Sequence, residues 1–562
     1  MAKILKLLIV INLAFFFGES IHAEGFNKAG IATAHPLATK AGYEILEMGG
    51  NAFDAAVTVS AVLSVVEPYS SGLGGGGFFL LHNAEDGQSV FVDAREKAPS
   101  MADRDMYLDE NGDVLRTASL NGPLASGIPG LPAALHHVAN NHGSMPLYKL
   151  LEPAIRLARD GFPAYERLIT ALNVAKKSRT LSPKFKAVFM PNDQLPEVGQ
   201  LIKQPELAKT LEIIASNGHD SFYSSFFTQK MIDEARQDGS IWLADDFKNY
   251  SVVEREPIKV NFLGAQLTTA PPPSSGGTTI ATILNIISEF DFIQMDISTR
   301  THLVVESMRR AYRDRAFFLG DPDFVDVPIK KLTSKEHASI LAQSIDMNAA
   351  TPIHEDDQLD EKYAWNEGSH TTHFSILDMD GNRAAVTQTI NTWFGSGYML
   401  PSSGLILNNE MDDFSAKPFA PNRYGLVHGE QNSIQPNKRM LSSMTPTFIE
   451  SEKGLAILGT PGGARIITMV LLSILDYFEG GSAETMTATK RFHHQFLPDV
   501  IRYEKDAFTE ETIKILESKG HTLQEISSYG NMQVVTWEKD SGDVNSSSDP
   551  RGIIEGYDID FY

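Results

Sequence analysis

The sequence of 562 residues contains no cysteine. That absence excludes a disulfide framework, a cysteine-ligated metal and a thiol nucleophile. Basic residues are scarce relative to acidic ones, since 48 lysines and arginines stand against 71 aspartates and glutamates, a formal net charge of −23. Because binding to phosphate backbones needs clustered lysine and arginine, we expect no nucleic acid partner.

Long apolar runs are also scarce, and the one at the N-terminus is short. The start "MAKILK" carries two lysines, an apolar run extends from about Leu7 to Phe17, and small residues follow up to Ala23. This pattern is typical of a secretory signal peptide, and the run is too short to span a bilayer comfortably. We therefore predict a signal peptide at residues 1–23, a periplasmic or extracellular protein and no stable membrane span. An uncleaved membrane anchor is the alternative.

The next segments predict buried helices and then a glycine-rich turn. Residues 36–48 and about 54–66 have helical patterns, and the second is apolar on every side, as a buried helix is. Gly72, Gly74 and Gly77 fit the dinucleotide-binding spacing G-x-G-x-x-G, but that motif needs a strand before it and a helix after it. Here a helix precedes, and "GFFLLH" with "SVFVDAREKAP" predicts a hairpin. The glycines are better explained by a tight turn and close backbone approach.

Residues 100 to about 350 are mostly helical in pattern, and an acidic, weakly periodic stretch then leads to regular β structure. From Thr371, "TTHFSILD" alternates and runs into an Asp-Gly turn, which predicts a two-residue hairpin. Along the return strand "RAAVTQTIN", Thr387, Thr389 and Asn391 are spaced to share one face. We expect these polar groups to surround a reacting group on the strand that begins at Thr371.

A cut between His370 and Thr371 would give this arrangement a chemical use. A threonine hydroxyl is a poor nucleophile unless a base lies beside it, and a cut would give Thr371 a free α-amino group. That amine has an ordinary pKa of about 7.7–8.0, so a useful fraction is neutral near physiological pH. The pattern alone also fits a plain strand, because threonine has a high β propensity. Both interpretations stay open on the pattern alone.

Six motifs in collinear order extend the argument. They are "SGLGGGGF", "DAREKAP", "TTHFS", "SGLILNNEMDDFSAKP", "NKRMLSSMTPTF" and "LGTPGGARIIT". Together they resemble the γ-glutamyltranspeptidase (glutathione hydrolase) family, from about residue 26 to the C-terminus. The resemblance implies an α+β N-terminal nucleophile hydrolase, a four-layer αββα sandwich of two antiparallel sheets between helix layers. It also implies self-cleavage into a large subunit, residues 24–370, and a small subunit, residues 371–562, which form a heterodimer around one joint core.

The resemblance assigns the reacting groups residue by residue. Thr371 would be both the cleavage site and the catalytic nucleophile, with Thr389 hydrogen-bonded to it. Gly462 and Gly463 would form the oxyanion hole. Tyr424, in the loop at about 415–429, would be a lid residue.

The resemblance also assigns the residues that bind the amino-acid end of the substrate. Arg95, Ser442 and Ser443 would hold its carboxylate; Asn391, Glu410 and Asp413 would receive its ammonium. For Asp412, in the same motif, we expect only a solvated acidic turn. The position of Glu410 is glutamine in some members, and Ala464 stands where many members have serine.

The implied reaction transfers the γ-glutamyl group of glutathione and similar donors to water or to amino acid and peptide acceptors, through an ester on Thr371. No cofactor or metal is implied, and the histidines at 370, 373, 493 and 494 lack a ligand spacing that indicates a metal. Two alternatives stay open. One is a glutaryl-type (cephalosporin) acylase of the same family, whose substrate lacks the ammonium. The other is a non-catalytic γ-glutamyl-binding protein that never matures.

Overall fold

The computed structural model describes residues 26–352 and 370–552. The predicted signal peptide and most of the acidic stretch lie outside these residues. The strands of the described residues are β1 (Gly30–Thr33), β2 (Gly76–Asn83), β3 (Gln88–Ala94), β4 (Phe162–Pro163), β5 (Leu201–Ile202), β6 (Val253–Arg255), β7 (Ile258–Phe262), β8 (Ala265–Thr269), β9 (Thr372–Leu377), β10 (Arg383–Thr389), β11 (Thr447–Ser451), β12 (Gly454–Gly459), β13 (Phe492–His493), β14 (Ile501–Glu504), β15 (Leu523–Ile526), β16 (Gln533–Glu538) and β17 (Val544–Ser548).

The same described residues also form α-helices. They are α1 (Pro36–Glu47), α2 (Ala52–Val66), α3 (Arg116–Leu120), α4 (Leu131–Asn141), α5 (Leu147–Asp160), α6 (Glu166–Ser178), α7 (Pro183–Phe189), α8 (Pro205–Asn217), α9 (His219–Tyr223), α10 (Phe226–Gln237), α11 (Ala244–Lys248), α12 (Gly276–Ile287), α13 (Ile297–Phe318), α14 (Ile329–Leu332), α15 (Lys335–Gln343), α16 (Ile466–Phe478), α17 (Ala483–Ala488) and α18 (Glu510–Ser518). Within the described ranges, no helix is both long and apolar enough to cross a membrane.

Two antiparallel six-stranded sheets form the centre of the molecule. The first has the order β1-β9-β10-β2-β3-β6 and the second the order β17-β16-β12-β11-β8-β7. In both sheets, strands from before residue 371 pair with strands from after it. The two predicted subunits therefore share one core and are not separate domains.

Alternating side chains of the first sheet enter two different hydrophobic cores. On β2, Phe79 and Leu81 pack in the core that contains α1 and α2, whereas Phe78 and Leu80 pack in the core shared with the second sheet. Side chains alternate across a strand, so this division places helices on one face and the second sheet on the other. Helices α12, α13 and α16 contribute to the second core. The predicted αββα sandwich is confirmed.

The two sheets approach closely where β9 begins and β12 ends. A Cβ atom added to Gly459, the last residue of β12, would lie 2.3 Å from the ring of His373 on β9. Only glycine fits there, because side-chain atoms do not approach to that distance. This contact brings the segment after β12 to the start of β9.

Several predicted elements are present. Helices α1 and α2 and the hairpin of β2 and β3 are observed, and every residue of α2 is buried. The glycine-rich turn serves close approach as predicted: a Cβ on Gly74 would lie 2.0 Å from the Ile406 carbonyl oxygen, and one on Gly75 would lie 2.0 Å from that of Thr389.

The region 100–350 is mostly helical as predicted, with α3 to α15, and it also contains the short strands β4 to β8. Two local predictions are wrong. The turn after β9 is longer than two residues, because Leu377 pairs with Arg383. Strand β10 ends at Thr389, and Asn391 follows it with φ 71°, so Asn391 reaches the site from a turn and not from the strand face.

Candidate active site

A small polar cavity lies at the start of β9. It is lined by ten of the residues singled out from the sequence: Arg95, Thr371, Thr389, Asn391, Glu410, Asp413, Tyr424, Ser442, Ser443 and Gly463. Residues from five separate motifs thus meet at one place. The eleventh, Gly462, is adjacent and contacts the peptide group before Thr371.

The hydroxyl of Thr371 is held by the neighbouring strand. Its Oγ1 lies 3.0 Å from Thr389 Oγ1, at hydrogen-bonding distance. The backbone N–H of Asn391 donates to the same Thr389 oxygen over 2.8 Å, which fixes that side chain. Thr371 is 5% exposed, so its hydroxyl lies in a largely water-free site.

Thr371 has an unusual backbone conformation. Its φ is 88°, in the left-handed region that β-branched residues rarely occupy. Such a conformation costs on the order of 1–3 kcal/mol and persists only where the surroundings impose it. The strain lies next to the peptide bond between His370 and Thr371.

The carbonyl of that peptide bond faces the predicted oxyanion hole. The N–H of Gly462 donates to the His370 carbonyl oxygen over 3.1 Å. Gly462 and Gly463 have φ values of 145° and 57°, which favour glycine. The glycine turn therefore presents a backbone donor to the carbonyl that a cut before Thr371 would attack.

The aromatic ring of Tyr424 covers the glycine turn. A Cβ on Gly463 would lie 2.5 Å from this ring, and the Tyr424 hydroxyl donates to the Asn391 carbonyl oxygen over 3.0 Å. Asp412, predicted to be solvated, is instead buried, and that expectation is wrong. It accepts hydrogen bonds from Ser119 Oγ over 2.7 Å and from the N–H of Arg423 over 2.9 Å, and so anchors the loop that carries Tyr424.

Arg95 is paired with two carboxylates across the cavity. It is fully buried, and its guanidinium donates to Glu410 Oε1 and, over 2.6 Å, to Asp413 Oδ2. The sequence predicted that Arg95 binds a carboxylate and that Glu410 and Asp413 bind an ammonium. In this structure these complementary groups bind each other.

The carboxyl groups of this cluster are strongly perturbed. Burial, with the nearby Glu96 charge, raises the pKa of Glu410 well above its usual value, while Arg95 opposes the rise. Burial also raises the pKa of Asp413 and brings that of Glu96 to about 7. Three carboxyl groups therefore compete for one arginine in a site that water barely reaches.

The two predicted serines line the cavity. Ser442 Oγ accepts the N–H of Met444 over 3.1 Å, and Ser443 Oγ accepts Arg315 Nη2 over 3.3 Å. Because each oxygen already accepts a hydrogen bond, each hydroxyl is left with a proton to donate. Both are thus suited to an anion.

Arg315 lines the cavity and was not singled out from the sequence. It is buried on α13, donates from Nε to Ser275 Oγ over 2.9 Å, and lies 3.5 Å from His428 Nδ1. Within the described part of the chain, no carboxylate lies within ion-pair distance of it. Burial lowers its pKa to about 10, so it stays charged at neutral pH. Arg315 shares one face of α13 with the apolar residues Ala311 and Tyr312, and a charged residue on that face was the available signal.

The histidines considered in the sequence analysis have other partners. His370 Nδ1 accepts the N–H of Trp393 over 2.8 Å. His373 contacts Thr387, and His493 contacts Thr468. His494 contacts the Asp499 carboxylate. Each of the four rings therefore has a hydrogen-bonding partner in the protein.

The fold and the threonine at the head of β9 define the class, that of the N-terminal nucleophile hydrolases. The family follows from comparison with known proteins. A family model described as gamma-glutamyltranspeptidase matches residues 38–557. The chain belongs to the gamma-glutamyltranspeptidase family, which confirms the resemblance.

Individual relatives agree with this assignment. The glutathione hydrolase proenzyme of Escherichia coli is 42% identical over 528 residues, 93% of this chain and 90% of that protein. A crystal structure of Helicobacter pylori gamma-glutamyltranspeptidase is 37% identical, with a TM-score of 0.55 over 57% of this chain and 92% of that one. A cephalosporin acylase from Bacillus halodurans has the same fold, with a TM-score of 0.81 over 97% of this chain and 98% of that one, at 24% identity.

Proposed function

We propose that the protein cuts itself before Thr371 and then transfers the γ-glutamyl group of glutathione and similar donors to water or to amino acid and peptide acceptors. The observation that carries the proposal is that Thr371 Oγ1 is held by Thr389, while Gly462 donates to the carbonyl just before Thr371. Nucleophile, carbonyl and oxyanion donor therefore meet at one peptide bond. Proenzyme names among the relatives support a cut.

The cut requires an attack on the backbone. Thr371 Oγ1 bonds to the His370 carbonyl carbon, and the developing oxyanion is stabilised by the Gly462 N–H. The C–N bond then breaks, the nitrogen takes the hydroxyl proton, and an ester remains. Water hydrolyses that ester, which leaves a carboxylate on His370 and a free amine and hydroxyl on Thr371. Relief of the strained φ at Thr371 favours this direction.

The mature threonine repeats this chemistry on the substrate. Its amine takes the hydroxyl proton while Oγ1 attacks the γ-amide carbonyl, whose oxygen is stabilised by the glycine turn. The C–N bond breaks, the proton passes to the leaving amine, and the γ-glutamyl ester forms. Water or an acceptor amine then releases the acyl group.

The amino-acid end of the substrate matches the charged cluster. Its carboxylate would replace the carboxyl groups at Arg95 and accept from the hydroxyls of Ser442 and Ser443. Its ammonium would pair with Glu410 and Asp413, which Arg95 then releases. Binding exchanges one set of buried ion pairs for another, so no charge is left unpaired in the buried site.

Arg315 extends this binding site, and we assign it the positioning of Ser443. Replacing Arg315 by methionine removes the donor to Ser443 Oγ, so the KM for γ-glutamyl anilide should rise roughly tenfold, with a smaller change in kcat. Arg315→Lys should restore part of the loss. An anilide of 4-aminobutyrate, which lacks the carboxylate, should show no comparable rise in KM.

Arg313→Gln is the matched control, because Arg313 is an exposed arginine on the same helix. It should leave both kinetic constants unchanged. If Arg315→Met lowers activity equally toward both anilides, Arg315 has no role in binding the substrate carboxylate.

The choice between γ-glutamyl and glutaryl substrates tests the activity itself. Release of nitroaniline should be fast from the γ-glutamyl anilide, faster when a dipeptide acceptor is added, and at least about 100-fold slower from the glutaryl anilide. The reason is that the glutaryl group has no ammonium to pair with Glu410 and Asp413, so their buried negative charge would be left unpaired. Preference for glutaryl would instead support the acylase alternative.

We also propose that the protein is exported, with residues 1–23 as its signal. Export would place the enzyme where extracellular γ-glutamyl peptides are available. Mass measurement of the protein purified from the periplasm or medium tests this, since a chain that retains residues 1–23 would contradict cleavage of the signal.

A further inference from the structure

Two histidines and a glutamate converge on the surface, away from the cavity. His137 lies on α4, His142 caps the end of that helix, and Glu254 lies on the edge strand β6. The Nε2 atoms of the two histidines lie 2.8 Å and 2.9 Å from the same carboxylate oxygen, Glu254 Oε1. None of the three lines the cavity around Thr371.

The cluster has the composition and spacing of a metal site. One nitrogen from each ring and a carboxylate oxygen all lie within 4.8 Å of one another. Zinc binds histidine nitrogen and carboxylate oxygen at roughly 2.0–2.2 Å, so the three atoms need to separate by only a few tenths of an ångström to enclose an ion. Two imidazoles favour zinc over the oxygen-binding cations magnesium and calcium.

The surroundings hold the ligands in place. The ring of His142 packs edge-on against Phe53 at 5.9 Å, and its carbonyl oxygen accepts Asn51 Nδ2 over 3.0 Å. The side-chain amide nitrogen of Asn141 lies 3.0 Å from His137 Nδ1 and 3.3 Å from His137 Nε2, so this amide contacts the ring beside both of its nitrogens.

The Glu254 carboxylate is paired with histidines, which are charged only when protonated. Among the residues that the structure covers, its recorded ion-pair partners are these two histidines, and no lysine or arginine is among them. The next residue, Arg255, is directed instead to Asp93 and Asp323. Glu254 is 42% exposed on its side chain, so an ion can reach it from solvent.

We propose that His137, His142 and Glu254 bind a zinc ion that links the end of α4 to the edge strand β6. The fourth position is open to water. Because β6 is the last strand of the sheet that contains β9, the ion protects that edge and stabilises the folded protein without taking part in the reaction.

The test titrates zinc into mature, chelator-treated enzyme by isothermal calorimetry and follows thermal unfolding. One equivalent of zinc should bind and raise the melting temperature by a few degrees, and magnesium should do neither. His142→Gln and Glu254→Gln should each weaken that binding by roughly tenfold or more. Neither should change γ-glutamyl hydrolysis, which also shows that each variant is folded.

His136→Gln and His219→Gln are the matched controls. The centroids of these two rings lie 6.0 Å apart, and neither ring belongs to the cluster. Both variants should bind zinc as the unaltered protein does. The proposal is overturned if zinc does not bind at micromolar concentration, or if it binds equally well after His142→Gln and Glu254→Gln.

Discussion

Replacing Thr371 by alanine is expected to leave the protein as one uncut chain with no measurable γ-glutamyl hydrolysis. The hydroxyl that lies 3.0 Å from Thr389 would be absent, so neither the backbone carbonyl nor the substrate could be attacked. Loss of a nucleophile lowers turnover by on the order of 10⁴-fold or more. A denaturing gel and an anilide assay on the same preparation measure both effects.

Two further variants make this result specific. Thr371→Ser keeps a hydroxyl and should be cut slowly and retain some activity. Thr387→Ala removes a nearby strand hydroxyl that bonds to His373 and does not line the cavity, so it should leave the cut in place. Hydrolysis by uncut Thr371→Ala protein would rule out Thr371 as the nucleophile. If the protein without substitutions is active while still uncut, the cut is not required for activity. If it is uncut and inactive but binds γ-glutamyl compounds, the binding-protein alternative is supported.

The second large effect is expected from Arg95→Ala. This change leaves Glu410 and Asp413 buried without their partner and removes the cation that we propose for the substrate carboxylate. We expect kcat/KM for γ-glutamyl anilide to fall by about 10²- to 10³-fold, the range for loss of one member of a buried charge pair. The free energy of unfolding should fall by about 3–5 kcal/mol, because one partner of a buried charge pair is lost.

The controls separate binding from folding. Arg95→Lys retains the charge but not the forked geometry, so it should regain part of the stability while the KM stays high. Arg104→Ala breaks an exposed ion pair between Arg104 and Glu430. It should lower the free energy of unfolding by less than about 1 kcal/mol and leave the kinetic constants unchanged. Unchanged donor kinetics in folded Arg95→Ala would remove Arg95 from the substrate site.

The sequence predicted the parts of this molecule that depend on local pattern. Helix α2 could be predicted because every position is buried and the sequence is apolar on every side. The strands around Thr371 could be predicted because polar and apolar residues alternate there. The resemblance then supplied the site, because its motifs retain their order even though they lie far apart in the chain. The cavity brings those motifs together as expected.

What the sequence could not predict depends on partners that meet only in the fold. The burial of Asp412 follows from its contact with Ser119, almost 300 positions away. Arg315 lies on α13 and Ser443 lies outside the helices and strands, before β11, and nothing adjacent to either residue in the sequence indicates their contact. The pairing of Arg95 with Glu410 and Asp413 was missed because each group was considered against a substrate and not against the others.

The most direct test of the central claim is N-terminal sequencing of the smaller fragment from active, freshly purified protein. The account predicts a single new terminus that reads Thr-Thr-His-Phe, which begins at Thr371. An active preparation without that terminus would contradict it, because the free α-amine of Thr371 would then not exist.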